Sequence, residues 1–553
     1  MKEVTGELFK EMVLCGANTL HNNYPEIDAL NVFPVPDGDT GTNMSLTFSA
    51  GAKEVDNFDS NNIGDISKKL SKGLLMGARG NSGVILSQIF RGISMTLQGH
   101  ESADAMLWAE ALQNGAKVAY KAVMRPVEGT ILTVIREASE ATMKYAKPGM
   151  EIEDVFSYFV KEAELALERT PELLPVLKEV GVVDSGGAGL LLVFTGFMAA
   201  LAGERVDYVE IKSSSDTAMS AVASVESGED GYGYCTEFII RLEPSLVTKF
   251  KEDQLKKELE LLPGNSIVVV QDEEIVKVHV HTMKPGNALN IAQRFGEFVK
   301  IKIENMQEQN DAIQGSAGSI VGVDDSKAND KGPAKETAVI SVCAGDGLRD
   351  SFLELHCDYV VSGGQTMNPS AEDMVQAVRK VNAKNVIILP NNSNIVMTAQ
   401  QTATILEDEV NVIVIPTKTI PQGLSACIMY NPEATLDENV ADMTEAVGNV
   451  KTGQVTFAIK DTVIDGVEIK ANDYMALVEK TIVDCKEDKL KALEVVLENM
   501  IDNDSEIITL ICGEDVNDED VEEIESFVED NFDVELEVID GKQPVYSFIV
   551  GVE

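Results

Sequence analysis

Residues 31–44 read NVFPVPDGDTGTNM. Pro34 and Pro36 fix an extended approach, because the pyrrolidine ring locks φ and biases the preceding residue away from the α region. Asp37-Gly38-Asp39 then presents two carboxylates two residues apart. In an extended segment this spacing puts both on one side. Gly38 lets the backbone turn or approach a ligand closely. Thr40, Thr42 and Asn43 add hydroxyl and amide groups, and Gly41 is expected to free backbone N–H groups. Carboxylates beside exposed N–H groups suit a magnesium–phosphate site, the acids for the metal and the N–H groups for phosphate oxygens. Taken bare, the same residues also fit an ordinary surface turn.

Outward from this stretch, two more glycine-rich loops stand before apolar runs. Residues 77–83 read GARGNSG and precede Val84–Phe90, offering Gly80, Asn81, Ser82, Gly83 and a cation in Arg79. Residues 184–189 read DSGGAG, with Asp184, Gly186 and Gly187, and also lead into an apolar stretch. A loop that opens a helix is the geometry of an anion site, since first-turn N–H groups are unpaired and the helix dipole favours negative charge. Three such loops in one helical region are hard to explain as plain connections. No GxxxxGK[ST] occurs, which excludes a P-loop.

The surrounding residues 1–203 read as all-α. They are rich in Ala, Leu, Met and Glu, with apolar residues at helical spacing over Ala105–Val118 and Val155–Leu167. Residues 213–230 (SSSDTAMSAVASVESGED) read as a linker. Residues 231–315 read as a small α/β module, with strands expected over Tyr234–Leu242, Ser266–Val270 and Ile275–Thr282 and a helix over Ala288–Phe298. A second linker is expected over 316–335. From 336 to 553, short β-branched runs (Thr337–Cys343, Tyr359–Ser362, Asn385–Pro390, Asn411–Pro416) alternate with polar loops and helical stretches. That pattern predicts an α/β domain with a parallel or mixed sheet. The polar loops at 362–370 and 390–394 end strand-like runs, where open α/β sheets bind ligands, and equally fit ordinary connections.

In the middle module His279 and His281 sit at i, i+2 in IVKVHVHT and so share a face. Cys235 lies in another expected strand, with Glu237 a fourth neighbour two residues on. One thiolate and two imidazoles form a ligand set suited to Zn2+ with one position open. Surface histidines and a buried cysteine acting as a small hydrophobe fit the same residues.

The 553 residues carry 45 Lys+Arg against 92 Asp+Glu, a formal charge of −47. That balance argues against nucleic acid and against an anionic membrane surface as partners. The acidity is uneven: residues 1–203 carry a net −9, residues 204–335 a net −8 and residues 336–553 a net −30. The last figure fits a solvated acidic surface, and also a docking face for a basic partner. Seven scattered cysteines without a CxxC pair fit a reducing compartment. Met1–Gly16 contains Glu3, Glu7 and Glu11 and lacks the flank and apolar run of a signal peptide. The longest apolar stretch, Gly189–Gly203, is too short to span a bilayer. A cytoplasmic location without an integral membrane segment is therefore expected.

PVPDGDTGTNM, followed by GNSG and DSGGAG, resembles the nucleotide-binding L-subunit domain of dihydroxyacetone kinases. The longer chain resembles the fatty acid kinase A subunit, whose L-type domain has the same architecture. The resemblance implies an antiparallel helix barrel binding ATP and two Mg2+ ions at one end. It carries the metal acids onto Asp37 and Asp39. A third acid of the dihydroxyacetone kinase pattern falls at Val32, with Asn31 the nearest candidate ligand. It also implies nucleotide contacts at Thr40 and Asn43, a phosphate loop at Asn81 and Ser82, a flanking loop at 126–130 (PVEGT) ending in Thr130, and a base and ribose loop at Asp184, Gly186 and Gly187. The family's middle domain carries a zinc site of the type suggested at Cys235, His279 and His281. The C-terminal part implies docking with a separate fatty-acid-binding B subunit, and enzymes of this kind often form homodimers.

The chemistry agrees with the residues. A fatty acid carboxylate, with a pKa of roughly 4, is already ionised at neutral pH and needs no general base. Positioning and charge neutralisation then carry phosphoryl transfer. Asp37 and Asp39 would hold magnesium, Arg79 would help neutralise charge, and the product would be an acyl phosphate. A dihydroxyacetone acceptor would need a hydroxyl activated and a K domain, of which the sequence shows no sign. A non-catalytic nucleotide-binding regulator would keep the loops and lack turnover.

Overall fold

The computed structural model describes residues 1–31, 38–209, 234–242, 250–259, 264–272, 275–282, 284–305, 335–364, 367–464 and 466–553. The chain divides into two compact units, one from 1–213 with 331–553 and the other from 214–330.

The N-terminal part is helical: α1 (Gly6–Ala29), α2 (Thr40–Asp56), α3 (Ile63–Gly77), α4 (Gly80–Leu97), α5 (Ala105–Ala122), α6 (Ile131–Tyr145), α7 (Ile152–Glu168), the short α8 (Thr170–Leu173) and α9 (Pro175–Val180), and α10 (Ser185–Leu201). Side-chain caps set several starts. Asn62 accepts from the Asp65 N–H before α3, and Asp104 from the Leu107 N–H before α5. One departure from an all-helical reading is a short antiparallel pair, β1 (Glu3–Thr5) with β2 (Ser102–Asp104), tied by the Ser102 hydroxyl donating to Glu3. It joins the residues that lead into α1 and α5.

From α1 to α7 each helix packs against the next, α7 packs against α10, and α10 returns to α1. The helices turn periodic apolar faces inward. On α5 the buried set includes Ala105, Trp108, Ala109, Leu112, Ala116 and Ala119. Trp108 meets Phe9 and Phe156 edge-on at 5.4 and 5.1 Å between ring centres, and Phe48 meets Phe90 at 5.1 Å. Each such ring, fully buried, contributes roughly 1.5–3 kcal/mol of hydrophobic stabilisation. Among the described residues no helix is long and apolar enough to cross a membrane.

The middle unit is one antiparallel sheet, in the order β4 (Gly264–Asp272), β5 (Ile275–Thr282), β3 (Tyr234–Leu242), β6 (Gly296–Asn305). Phe238, Ile240, Val276, Val278 and Val280 form its buried face with residues of α11 (Glu252–Leu259) and α12 (Pro285–Ala292). β3 and β4 run parallel to each other on either side of β5, and β5 and β6 on either side of β3, with α11 and α12 falling in these two connections.

The C-terminal part holds two sheets. The first is wholly parallel, ordered β10 (Asn411–Val414), β9 (Ala383–Leu389), β7 (Lys335–Cys343), β8 (Tyr359–Ser362). Its helices are α13 (Asp346–Glu354), α14 (Ala371–Val381), α15 (Val396–Ile405), α16 (Ile420–Met429) and α17 (Leu436–Asn449). The strand–loop–helix rhythm read from the sequence holds this far and then stops. The second sheet is mixed, ordered β15 (Thr481–Lys486), β14 (Tyr474–Val478), β11 (Lys451–Phe457), β18 (Tyr546–Val552), β16 (Ile507–Gly513), β17 (Glu535–Gln543). A hairpin of β12 (Thr462–Ile464) and β13 (Val467–Ile469) leaves it, and α18 (Lys489–Met500) and α19 (Asp518–Asn531) complete the part. α14 packs on α3 and α15 on α4, which brings this domain onto the helical one.

Candidate functional site

The three glycine-rich loops are largely the first turns of helices, and the structure sorts them by who occupies their N–H groups. Asp39 stands just before α2, and its carbonyl accepts from the Asn43 N–H at 2.8 Å. The Gly41 N–H, the Thr42 N–H and the Thr42 hydroxyl all donate to the Asp28 carboxylate, at 2.6, 3.1 and 2.7 Å. The expectation that Gly41 frees N–H groups for a ligand is therefore not met: an acid at the end of α1 already caps α2. Burial pushes the Asp28 carboxyl up, against the pull of these bonds. Asp37 and residues 32–36 lie outside the described residues. The Thr40 side chain is half-buried at the first position of α2.

The third loop is also capped. Asp184 accepts from the Gly187 N–H at 2.6 Å, and its own N–H donates to the Thr170 hydroxyl. Burial raises its carboxyl to about 6, opposed by N–H donors from Gly187 and Ile131. Gly186 lies beside Ile131, so the loop at 184–187 and the start of α6 come together. Thr130 opens α6; its hydroxyl donates to the Val127 carbonyl and accepts weakly from the Leu132 N–H.

The start of α4 is different. Arg79 precedes it and no side chain caps it. The Gly80, Asn81 and Ser82 N–H groups thus have no side-chain acceptor among the described residues, the arrangement that binds phosphate. Gly80 sits at φ +59, and a Cβ there would come within 2.7 Å of Asn43 Nδ2. A Cβ at Gly83 would lie 2.3 Å from Thr47 Oγ1, the hydroxyl that receives the Arg79 N–H. Both glycines let α4 start hard against α2, next to Asn43.

Arg79 does not point freely into this space. Its Nη1 donates to the Asn368 backbone carbonyl at 2.9 Å, and Nη2 lies 3.7 Å from Asp373. Asn368 in turn donates from Nδ2 to Asp39 Oδ2 at 2.5 Å. Asn81 Nδ2 donates to Asn394 Oδ1 at 3.2 Å. Lys460 Nζ donates to the Asn31 carbonyl at 2.8 Å, and the Asn31 amide lies against Gly38. The loops at 362–370 and 390–394 thus do lie at the carboxyl edge of a parallel sheet, and both reach the helical domain. Sequence reasoning missed Asp28, Asn368 and Lys460 as site residues. An Asp nine positions before Asp37 was visible for the first; the other two carry no local signal.

Among the described residues no three His, Cys, Asp or Glu side chains gather as a metal cluster. The oxygen donors of Asp39, Asn368 and Asn81 nevertheless fit magnesium in kind. Asp39 supplies a carboxylate, and two buried amide oxygens, Asn368 Oδ1 and Asn81 Oδ1, have no hydrogen-bond donor among the described residues. A buried acceptor left unpaired costs about 1–3 kcal/mol, which a hydrated hard cation relieves. For zinc, the strand register sets Cys235 opposite His281 and Glu237 opposite His279 across β3 and β5. The side chains of Cys235, His279 and His281 lie outside the described residues. Thr236, Phe238, Val278 and Val280 occupy the buried face, so these four positions share the other.

Three family models match the chain. Residues 34–199 match the DAK2 domain. Residues 231–313 match the middle domain, and residues 338–553 the C-terminal domain, of proteins like the fatty acid kinase A subunit. Protein YloV of Bacillus subtilis (strain 168) is 47% identical over 562 residues, the whole of both chains. The uncharacterized protein SAB1090 of Staphylococcus aureus (strain bovine RF122 / ET3-1) is 45% identical over 558 residues, again the whole of both. The dihydroxyacetone kinase of C. freundii is similar over 36% of this chain and 34% of that one, with 25% identity and a TM-score of 0.28. The DAK2 domain makes the chain a kinase-type phosphotransferase of the dihydroxyacetone-kinase-like class. With both of the further modules behind that domain, and relatives matching from end to end, the chain belongs to the family of proteins like the fatty acid kinase A subunit.

Proposed function

We propose that this protein transfers the γ-phosphoryl group of ATP to the carboxylate of a fatty acid presented by a separate carrier subunit, giving an acyl phosphate and ADP. The observation that carries the reading is the uncapped start of α4 set beside Asp39. N–H groups of Gly80, Asn81 and Ser82 bind phosphate oxygens there, with the half-buried Ser82 hydroxyl beside them. Asp37, Asp39 and Asn31 hold two magnesium ions, which when bound neutralise phosphate charge. Thr130, Asp184, Gly186 and Gly187 line the base and ribose side, and Thr40 and Asn43 the nucleotide's near edge.

In the transfer, a carboxylate oxygen forms a bond to γ-phosphorus and the bond to the ADP oxygen breaks. No proton moves, so the step needs positioning and charge neutralisation and no general base. Arg79 acts from the start of α4, holding the Asn368 loop of the C-terminal domain, rather than as a free counter-charge. We read the ring of α1–α7 and α10 as the antiparallel barrel that carries this site.

ATP consumption separates the acceptors. Oleate-loaded carrier subunit should drive turnover, whereas dihydroxyacetone alone should not; turnover on dihydroxyacetone alone sinks the fatty acid reading. Asp37→Ala should abolish turnover with the fold intact.

We also infer a Zn2+ site on the outer face of the middle sheet, held by Cys235, His279 and His281. The register pairing of Cys235 with His281 supports it. Elemental analysis of the purified full chain should find about one zinc per chain; metal-free protein rules the site out.

A further inference from the structure

We propose that the C-terminal domain completes the metal site, with Asn368 and Lys460 as positioning residues that clamp Asp39 and Asn31; the inference rests on the kinase reading above. Lys460, in the turn after β11, holds the Asn31 carbonyl at one end of the 31–39 segment. Asn368, in the loop after β8, holds Asp39 Oδ2 at the other. Asp37 lies between them in sequence. The two donors are far apart in the sequence of the C-terminal domain, yet one holds Asn31 and the other Asp39, the two described ligand candidates.

The Asn368 loop is itself fixed on the α4 side. Its backbone carbonyl receives Arg79 Nη1, and the Ala371 N–H donates to the Ala78 carbonyl at 3.2 Å. Asn368 is 1% exposed, so its amide cannot swing out to water. A hydrogen bond on one carboxylate oxygen fixes the rotation of Asp39, and with it the direction in which the carboxylate meets a cation. Charge-assisted bonds of this kind are the stronger ones. The buried Asn368 Oδ1 beside it accepts from a water of a hydrated cation. Magnesium capture by the helical domain thus depends on where the C-terminal domain sits, although that domain supplies no charge to the metal.

The test uses the full chain and calorimetric ADP binding across a magnesium series and in EDTA. Asn368→Ala should raise the magnesium concentration for half-maximal gain in ADP affinity about tenfold, and Lys460→Ala about threefold. ADP affinity in EDTA should stay at the parent value in both. Lys460→Arg, which keeps a donor for the Asn31 carbonyl, should restore most of the magnesium response. Lys460 is half-buried at the surface, so its variants answer even if Asn368→Ala fails to fold. An unchanged magnesium response in variants of a parent that does bind Mg·ADP overturns the clamp alone. An equal loss in EDTA and in magnesium also overturns it, as a merely structural effect. A parent without magnesium-dependent ADP binding overturns the kinase reading and the clamp together.

Discussion

Asp184 illustrates how burial and capping divide one carboxyl between stability and binding. Its folded pKa of about 6 lies above its ordinary 3.8. Between about pH 4 and 6 the folded chain therefore keeps a proton that the unfolded chain has lost. The sign follows: its contribution to stability grows as pH falls through that window and is lost as pH rises through 6. Urea unfolding of parent and Asp184→Asn at pH 4.5 and pH 7 should show the parent gaining relative to the variant at the lower pH. An equal difference at both values contradicts the assignment. Asp39, Asn43, Asn81 and Asp184 were legible because each stands inside a glycine-rich motif that opens a helix. Asp28 acts 13 residues away, Asn368 329 and Lys460 429, and no local pattern encodes such pairings.

Among elements, the contact of α2 with α4 shapes the proposed phosphate site. Thr47 donates to the Asn43 carbonyl at 2.6 Å and receives the Arg79 N–H at 3.2 Å, so its hydroxyl ties the two helix starts. A methyl at position 83 would collide with that hydroxyl. Gly83→Ala should cost about 1–3 kcal/mol in chemical unfolding and weaken ADP binding as α4 shifts. Asp28→Ala should cost roughly 0.5–2 kcal/mol by uncapping α2; a loss below about 0.3 kcal/mol would show that water replaces the cap at no net expense. The helices here were readable from 3.6-residue periodicity, and the parallel strands from β-branched runs between loops. The second C-terminal sheet was not, because its strands arrive out of order: β18, the last, sits at its centre between β11 and β16. Pairing between strands so far apart in sequence leaves no periodic trace.

At the scale of the whole molecule, a charge of −47 sets the terms for handling two anionic reactants. In the proposed reaction, the uncapped start of α4 and the proposed metal acids would answer the repulsion from ATP. The C-terminal domain bears most of the excess, and α19 alone reads DEDVEEIESFVEDN. We expect the carrier subunit to meet it with a basic face. Its association should weaken several-fold between about 0.05 and 0.5 M salt, as screening shortens the reach of charge from above 10 Å to a few ångströms. Salt-independent association would contradict that view. The central claim concerns the bond that is made, and hydroxylamine reads it directly, because it converts acyl phosphates to hydroxamates and leaves phosphate esters untouched. With Mg·ATP and oleate-loaded carrier subunit, oleoyl hydroxamate should accumulate in step with ADP. ADP formed without hydroxamate, or phosphate ester formed from added dihydroxyacetone, would contradict it.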